Sequence, residues 1–426
     1  MRRGEIVSHH RRSGTMAGVH PLGTMAAHLL ETHRVKRGRT SRQVPSSVSV
    51  GTGEEISDTR DGHRLIWTAM VAKARLNVML HKADQGEEPD DPTVYTVTNR
   101  RYFPGTIALL NSLRLTGHTY PAVVLDAGLE HDQRRLLEPH CQICDLPESA
   151  QSSPLLRKPF PYFLQPAGVV LFLDSDMIVT GSLEPFVLRA RRGEICAVLD
   201  PNDSRWHPDW QTLFELREPL RREPYVNTGF LAFSTLRWPD LIERWWRACQ
   251  RIPSEGVVPG RKLRGEPADV SGEPLANGDQ DAFNAIVMSE VPAGAVTVLS
   301  RDIEAFVFQL RSVRIVDEAR LRCERCGHPT MILHYNGDPK PWEWRAWARI
   351  RDDAYVRLFR RVMVDHEGGL RLPPRSIPAW LAKGPLAWIA LRSLETCHRA
   401  GHVLLRKLPT RATGRLRHAL RRVIRW

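Results

Sequence analysis

Val169-Val170-Leu171-Phe172-Leu173-Asp174-Ser175-Asp176 joins five apolar residues to two aspartates that are separated by one residue. An apolar run with β-branched and aromatic members predicts a buried strand, and the end of such a strand is where open α/β sheets bind ligands. In a tight turn, the two carboxylates can converge on one hard cation, and that cation can hold a diphosphate through its oxygens. The alternative is that Asp174 and Asp176 only open a turn or cap a helix.

The segments before this run alternate between strand and helix patterns. Thr93–Thr98 and Tyr120–Leu125 are β-rich, whereas Thr106–Leu115 has helical spacing and His131–Glu138 predicts a short helix. This order predicts an α/β fold with a mostly parallel, Rossmann-like sheet, flanked by helices and joined by right-handed crossovers.

Strand and helix patterns continue after Asp176, without internal repeats. The predicted strands are Glu194–Leu199, Tyr225–Phe233 and Thr330–Tyr335, and the predicted helices are Leu241–Cys249, Asp279–Val287 and Trp342–Val364.

The net charge of +13 over 426 residues is concentrated at the two ends of the chain. Residues 1–43 carry +7 and residues 383–426 carry +10, which leaves −4 for the middle. The central region therefore does not have the basic surface of a nucleic-acid-binding protein, and no nucleic-acid partner is expected. We predict a disordered tail over 1–65, a helix and linker over 66–92, and a helical, basic extension over 346–426.

The hydropathy of the sequence also shows no pattern typical of a targeting signal. No segment has the roughly 18 apolar residues of a membrane span, and the N-terminal stretch lacks the continuous apolar region of a secretory signal. We therefore expect a cytoplasmic protein. Residues 383–426 mix eleven basic residues with Leu, Val, Ile and Trp, which predicts binding to an anionic membrane surface at its inner face. A helix packed on the domain and a nucleic-acid arm are the competing interpretations.

Four of the seven cysteines form two pairs with metal-binding spacing, Cys141/Cys144 and Cys323/Cys326. Two such pairs can form a structural Zn²⁺ site with four thiolates, and paired cysteines in a reducing compartment indicate metal more often than a disulfide. The alternative is four free thiols.

Polar side chains beside glycine recur at four predicted strand ends, turns or helix starts. Such positions carry the active sites of α/β folds. The four pieces are Leu173-Asp174-Ser175-Asp176, Tyr225-Val226-Asn227-Thr228-Gly229-Phe230, Asn277-Gly278-Asp279-Gln280-Asp281, and the stretch from Leu333 to Trp342 that contains His334, Gly337 and Lys340.

Together these pieces resemble the retaining glycosyltransferases of family 8, over about residues 93–345. The resemblance implies a GT-A glycosyltransferase domain that transfers a hexose from a nucleotide sugar, with UDP as the expected nucleotide, to a hydroxyl acceptor on a glycan or lipid. It implies that Asp174, Asp176 and His334 bind Mn²⁺ or Mg²⁺, and the imidazole favours Mn²⁺. The alternative for His334 is a hydrogen-bonded histidine at a strand end.

The resemblance also implies a set of donor-binding residues. Tyr102 would stack on uracil, and Asn99 would accept the uracil N3–H through its carbonyl oxygen. Arg157 or Lys158 would contact the donor, and the other would be surface charge. Gly337 and Lys340 would approach the diphosphate, with Ser175 between the two aspartates. Tyr102 can instead be ordinary packing and Lys340 a solvated side chain. Arg100 and Arg101 depart from the family, which more often has Asp or Asn there.

Asn227, Asp279 and Gln280 resemble the residues that bind the donor sugar and face its reacting carbon. Because Gln280 is an uncharged amide and a poor nucleophile, we favour front-face attack over a covalent intermediate. Asp279 can also serve as a helix N-cap. Two other functions remain open: a haloacid-dehalogenase-type phosphohydrolase, which also uses Asp-x-Asp after a strand, and a non-catalytic protein that binds sugar nucleotides or glycans. The first expects Thr or Val where Ile178 stands.

Overall fold

A seven-stranded sheet forms the centre of the fold, in the order β3-β2-β1-β4-β7-β6-β8. Four neighbouring strands, β3, β2, β1 and β4, are parallel, and β7 runs antiparallel between β4 and β6. The strands are β1 Thr93–Thr98, β2 Ala122–Asp126, β3 Gln142–Asp145, β4 Val169–Leu173, β6 Ile195–Leu199, β7 Val226–Ser234 and β8 Val296–Leu299.

The apolar run of β4 is buried on both faces of this sheet. Val169, Leu171 and Leu173 belong to one core cluster, whereas Val170 and Phe172 belong to the other. This alternation follows from the two-residue period of a strand, and it explains why the run contains no polar residue. The first charged side chain therefore appears only where β4 leaves the core, at Asp174.

Seven helices lie among the residues that the structure describes: α1 Phe103–Leu115, α2 His131–Leu137, α3 Glu184–Arg191, α4 Trp210–Leu213, α5 Leu241–Gln250, α6 Asp279–Ser289 and α7 Ala354–Val364. One face of the sheet packs on α1, α3 and α7, and the other on α5 and α6. The predicted α/β architecture, a mostly parallel sheet flanked by helices, is confirmed.

A second, smaller sheet lies at the carboxyl end of β4. Its order is β5-β13-β9, with β5 at Met177–Val179, β9 at Phe306–Val307 and β13 at Ile332–His334. A third sheet, β10 Arg314–Asp317, β11 Arg322–Arg325 and β12 His328–Thr330, precedes β13. The small β5-β13-β9 sheet matters for function because it joins the Asp-x-Asp turn to a part of the chain more than 150 residues later.

The computed structural model describes residues 91–146, 150, 156–253, 273–299, 306–307, 313–336, 339–343, 354–364, 369–372 and 393. All belong to the same compact unit. The predicted tail over 1–65, most of the 66–92 linker and most of the 346–426 extension, including the membrane-binding segment, lie outside these residues. Within them, no helix combines the length and the apolar character needed to span a bilayer.

Several predicted boundaries are corrected by the structure. The last helix does not begin at Trp342, because residues 341–343 form a turn, and α7 is first seen at Ala354. Its apolar face, with Tyr355, Leu358 and Phe359, joins the same core as α1. The sequence also gave no indication of β3, β5, β8 or the β10-β11-β12 sheet, because these strands are only three or four residues long.

Candidate functional site

Asp174, Asp176 and His334 lie together, and each offers a ligand atom within 4.8 Å of the others. The Nε2 atom of His334 is 3.1 Å from Asp176 Oδ1 and 3.9 Å from Asp174 Oδ2. Asp176 and His334 are buried, whereas Asp174 is about one-third exposed (32%). Two carboxylates and one imidazole match the donor set of a divalent transition-metal ion, so these residues fit the predicted metal.

The backbone explains how residues so distant in sequence meet. Asp174 and Asp176 form a tight turn between β4 and β5, and β5 pairs antiparallel with β13 so that Met177 faces His334. The backbone N–H of Tyr335 donates to the carbonyl of Asp176 over 3.1 Å. The pairing of β5 with β13 therefore fixes His334 beside the carboxylate of Asp176.

Gly229 provides the space that this cluster needs. It lies on β7 beside Asp174, whose backbone N–H donates to the Gly229 carbonyl over 2.8 Å. A Cβ atom at this position would lie 2.7 Å from Asn227 Oδ1, 3.0 Å from Asp174 Oδ2 and 3.0 Å from His334 Cε1. Any residue larger than glycine would therefore displace two of the three candidate ligands.

We expect Gly229→Ala to weaken Mn²⁺ binding by about tenfold or more, because displaced ligands no longer lie at the positions that bind the metal. Isothermal titration calorimetry of the purified protein with MnCl₂ measures this affinity. Gly193→Ala is the control for strain away from the cluster: Gly193 lies at φ 96°, so alanine there strains the backbone, but the added Cβ meets only the Arg237 side chain, at 3.7 Å or more, and none of the candidate ligands. Equal Mn²⁺ affinities in the two variants would contradict the crowding argument.

Two lysines neutralise the aspartates. Lys340 Nζ lies 2.5 Å from Asp176 Oδ2, and Lys158 Nζ lies 3.0 Å from Asp174 Oδ1. Burial alone would lower the pKa of both lysines, but the neighbouring carboxylates outweigh it and raise the pKa of each. Burial likewise acts to raise the pKa of Asp176, yet His334 and Lys340 hold it well below its usual value. Lys340 is thus buried and paired, and the solvated-surface alternative for it is wrong.

The amide side chains of Asn227 and Gln280 form a buried network next to the aspartates. Gln280 Oε1 accepts from Asn227 Nδ2 over 3.1 Å. Asp200 Oδ2 accepts from both amides, at 3.1 Å from Asn227 Nδ2 and 3.0 Å from Gln280 Nε2. Asp200 was not predicted from the sequence. It directly follows the strand β6, as Asp174 follows β4, and a carboxylate at the end of a strand could have indicated it as a site residue.

Asp279 opens α6 and lies between this network and Lys158. It is the first residue of the helix, and Gly278 precedes it at φ 58°, so Asp279 is not the N-cap. Its Oδ2 is buried without a hydrogen-bond partner and lies 4.0 Å from Lys158 Nζ. Burial raises the pKa of Asp279 to about 6, Lys158 opposes the rise and Asp174 adds to it.

This raised pKa predicts a pH-dependent effect of Asp279→Asn in metal-free protein. The carboxyl has an ordinary pKa of 3.8 and a native pKa of about 6, so its ionisation destabilises the native state as the pH rises through 6. Asparagine does not ionise. The free energy of unfolding of the variant, relative to the parent, should therefore rise by about 2 kcal/mol between about pH 4 and pH 7. Urea denaturation across this range with EDTA measures the difference, and a pH-independent difference would contradict it.

A cavity of about 270 Å³ opens beside the metal-ligand cluster. It is lined by Asn99, Tyr102, Arg157, Ser175, Asn336 and Lys340, together with the three candidate metal ligands and with Val97, Thr98 and Ala127. Arg157 and Lys158 therefore both lie at the site, Arg157 in the cavity wall and Lys158 on Asp174. The expectation that one of the two is surface charge is wrong.

Asn99 lines this cavity, but its carbonyl oxygen has a structural role. Asn99 Oδ1 accepts the backbone N–H groups of Arg101 and Tyr102, over 3.0 and 3.1 Å. Both lone pairs of that oxygen are thus engaged in the turn that leads into α1. Recognition of a uracil N3–H by this atom, as the resemblance implied, would require that turn to open.

Behind Asn227, Asp279 and Gln280 lies a buried ion pair between Arg205 and Asp281. Arg205 donates from Nε and Nη2 to the two oxygens of Asp281, over 2.6 and 2.9 Å. Asp281 also accepts from the Tyr225 hydroxyl over 2.7 Å and from the Asn277 backbone N–H over 2.6 Å. These bonds tie the start of α6 to β7, and they hold Asp279 and Gln280 against Asn227.

The predicted zinc site is not formed. Among the residues that the structure describes, which include Cys141, Cys144, Cys323 and Cys326, only Asp174, Asp176 and His334 form a metal-ligand group. Cys144 packs in one core cluster and Cys323 in the other, and burial raises the pKa of each thiol to about 12. The two pairs lie at different strands, with Cys144 on β3 and Cys141 just before it, and Cys323 on β11 and Cys326 just after it. All four are free thiols, as the alternative had it. Gly337, which was predicted to approach the diphosphate, lies outside the residues that the structure describes.

The chain is similar to known glycosyltransferases. No protein-family model matches it. Over 188 residues it is 23% identical to the lipopolysaccharide glucosyltransferase WaaO of Escherichia coli (strain K12), a match covering 44% of this chain and 47% of that protein. The match confirms the resemblance to family 8 glycosyltransferases. The chain thus spans about half the length of this curated relative.

Solved structures of glycosyltransferases are similar to the chain at lower identity. One is the apo structure of the bifunctional glycosyltransferase WbbM, with 15% identity, coverage of 72% of this chain and 52% of that chain, and a TM-score of 0.42. Another is the galactosyltransferase LgtC with donor and acceptor sugar analogues, with 18% identity, coverage of 66% and 98%, and a TM-score of 0.40.

Proposed function

We propose that the protein is a metal-dependent, retaining glycosyltransferase that moves a hexose from a nucleotide sugar to a hydroxyl acceptor. One observation carries this proposal: Asp174, Asp176 and His334 converge at the end of β4, beside a cavity on one side and the Asn227/Gln280 network on the other. When bound there, Mn²⁺ or Mg²⁺ supplies Lewis-acid stabilisation of the charge that develops on a leaving diphosphate.

Different residues around the cluster would bind different parts of the donor. Lys340 lies on the cavity side of the cluster and Lys158 on the proposed sugar side. Each ammonium group can leave its aspartate and pair with a phosphate oxygen of the donor. The nucleotide would occupy the cavity beside Tyr102 and Arg157. The sugar would then lie against Asn227, Asp279 and Gln280, where the Oδ2 atom of Asp279 offers an acceptor for a sugar hydroxyl.

This arrangement favours substitution on one face of the sugar. Gln280 is neutral, and its Oε1 already accepts from Asn227 and from the Thr228 backbone N–H, so it is not a nucleophile. In the proposed step, the bond between the sugar C1 and the phosphate oxygen breaks, and the bond from C1 to the acceptor oxygen forms on the same face. The acceptor proton passes to the departing phosphate, and Asp279 stabilises the positive charge on the sugar.

The phosphohydrolase and binding-protein alternatives explain less of the site. A phosphohydrolase would leave His334 and Lys340 without a role, although both contact Asp176. A binding protein would not need three converging metal ligands. Release of nucleoside diphosphate from a panel of UDP-, GDP- and ADP-hexoses tests the proposal. We expect slow, Mn²⁺-dependent release from at least one of them, abolished by EDTA. Release from none would overturn the proposal.

We also propose a lipid-linked acceptor reached at a membrane surface. The eleven basic residues within 383–426, interspersed with apolar ones, support this proposal. The full chain is expected to float with vesicles that contain anionic phospholipid and not with neutral ones. A chain ending at residue 382 should lose this binding, and its retention would contradict the assignment.

A further inference from the structure

Arg101, one of the two residues at which this chain departs from the family pattern, is joined to the segment that carries Lys340. Arg101 Nε donates to Glu343 Oε1 over 2.6 Å, and Arg101 Nη2 donates to Glu343 Oε2 over 3.2 Å. The ion pair is bidentate, which fixes the relative orientation of the two side chains as well as their distance. It connects the turn after β1 with a turn 242 residues later, and these two turns carry Tyr102 and Lys340, which both line the cavity.

Glu343 has a second bond that makes this pair more than a surface contact. Its Oε2 accepts the backbone N–H of Lys340 over 2.9 Å, and its own backbone N–H donates to the Lys340 carbonyl over 2.9 Å. Glu343 therefore holds the backbone of Lys340 at both of its polar groups. The Arg101 bonds and the burial of Glu343 act on its pKa in opposite directions, and the pKa is lowered overall.

The same two turns are joined at a second point. Trp342 Nε1 donates to the Arg101 carbonyl over 2.7 Å, and the Trp342 ring packs edge-on against Tyr102 at 6.2 Å. Tyr102 has the Arg101 guanidinium 5.6 Å from its ring centre and the Lys340 ammonium 5.4 Å from it. Tyr102, on the proposed nucleotide side, and Lys340, on the proposed diphosphate side, are thus held in a fixed relative position.

We propose that Arg101 and Glu343 are positioning residues for nucleoside diphosphate binding: together they set the distance between Tyr102 and Lys340, and so match the site to a base and a diphosphate at once. This inference rests on the proposed function. Neither side chain needs to touch the ligand. Their effect passes through the backbone of Lys340, whose ammonium must leave Asp176 to reach a phosphate while the turn stays in place.

The exposure of the pair makes the proposal separable from a role in stability. The two side chains are 42% and 26% exposed, and solvent-exposed ion pairs of this kind contribute little to folding stability. Loss of the pair should therefore leave the melting temperature nearly unchanged while the two turns move relative to each other. Arg100 is a matched control, because it is the adjacent residue and also forms an exposed ion pair, with Glu130 at 3.3 Å.

Calorimetric titration of the metal-loaded full chain with UDP, GDP and ADP in the presence of Mn²⁺ tests the inference. For the diphosphate that the parent binds most tightly, Arg101→Met and Glu343→Gln should each raise the Kd about tenfold, and Arg100→Met should change it less than twofold. The double variant should be no weaker than the weaker single variant, because both remove one interaction. Arg101→Lys should recover part of the affinity.

The outcomes separate this inference from the proposed function. If the parent binds none of the three diphosphates, the proposed function and this inference both fail. If the parent binds one of them and Arg101→Met behaves like Arg100→Met, only the positioning role is overturned. Additive losses in the double variant would also overturn it. With an active donor sugar, the pair should act on KM more than on kcat, since it positions the bound nucleotide and not the reacting carbon.

Discussion

Asp174→Ala is expected to lower the kcat/KM of Mn²⁺-dependent sugar-nucleotide cleavage by about a thousandfold, because the proposed metal site loses an oxygen ligand next to the proposed sugar-binding residues. Asp174 is one-third exposed, and its partner Lys158 keeps the Thr228 carbonyl and Asp279 nearby, so its removal should cost little stability. Mn²⁺ titration and initial rates measure the two effects. Asp145→Asn is the control, since Asp145 also ends a parallel strand of the sheet but lies outside the metal-ligand group. Activity within tenfold of the parent would contradict the assignment of Asp174.

Asp176 requires a different experiment because it has two partners. Asp176→Asn removes a metal ligand and also leaves the Lys340 ammonium buried without its carboxylate, which should lower the free energy of unfolding. Adding Lys340→Met to this variant should restore stability but not Mn²⁺ binding. A double variant that regains both would show that Asp176 serves folding and not metal binding.

The sequence predicted those parts of the site that follow from a single strand. The apolar run of β4 required burial on both faces, and its end placed Asp174 and Asp176 at the sheet edge. His334 was inferred from a resemblance, and its meeting with Asp176 depends on the pairing of β13 with β5. β13 lies within the predicted strand Thr330–Tyr335, but β5 has three residues and carries no periodic signal, so their pairing could not be predicted.

Two other predictions did not take account of contacts that the structure shows, one within a local turn and one between distant strands. Asn99 was predicted to recognise a base, yet its oxygen caps the adjacent turn, because Asn readily bonds backbone N–H groups two and three residues ahead. The four cysteines had zinc spacing within each pair, but the fold places Cys144 and Cys323 in separate core clusters. Spacing along the chain thus defined each pair and could not define the distance between the pairs.

Arg205→Met is expected to lower the free energy of unfolding by about 3–5 kcal/mol, the largest stability effect at this site. Asp281 is fully buried, and without Arg205 it would keep a negative charge with the Tyr225 hydroxyl and the Asn277 backbone N–H as its remaining hydrogen-bond donors. Asp281→Asn combined with Arg205→Met removes both charges and should recover part of the loss, since the amide oxygen can still accept from Tyr225.

The control for this prediction is Arg222→Met. Arg222 is exposed and lies 4.0 Å over the Trp206 ring, so its loss should cost about 1 kcal/mol or less. Urea denaturation compares the variants. Because Asp281 follows Asp279 and Gln280 directly on α6, Arg205→Met should also lower kcat at temperatures where the variant remains folded. Equal stability losses for Arg205→Met and Arg222→Met would show that the buried pair does not hold the start of α6 in place.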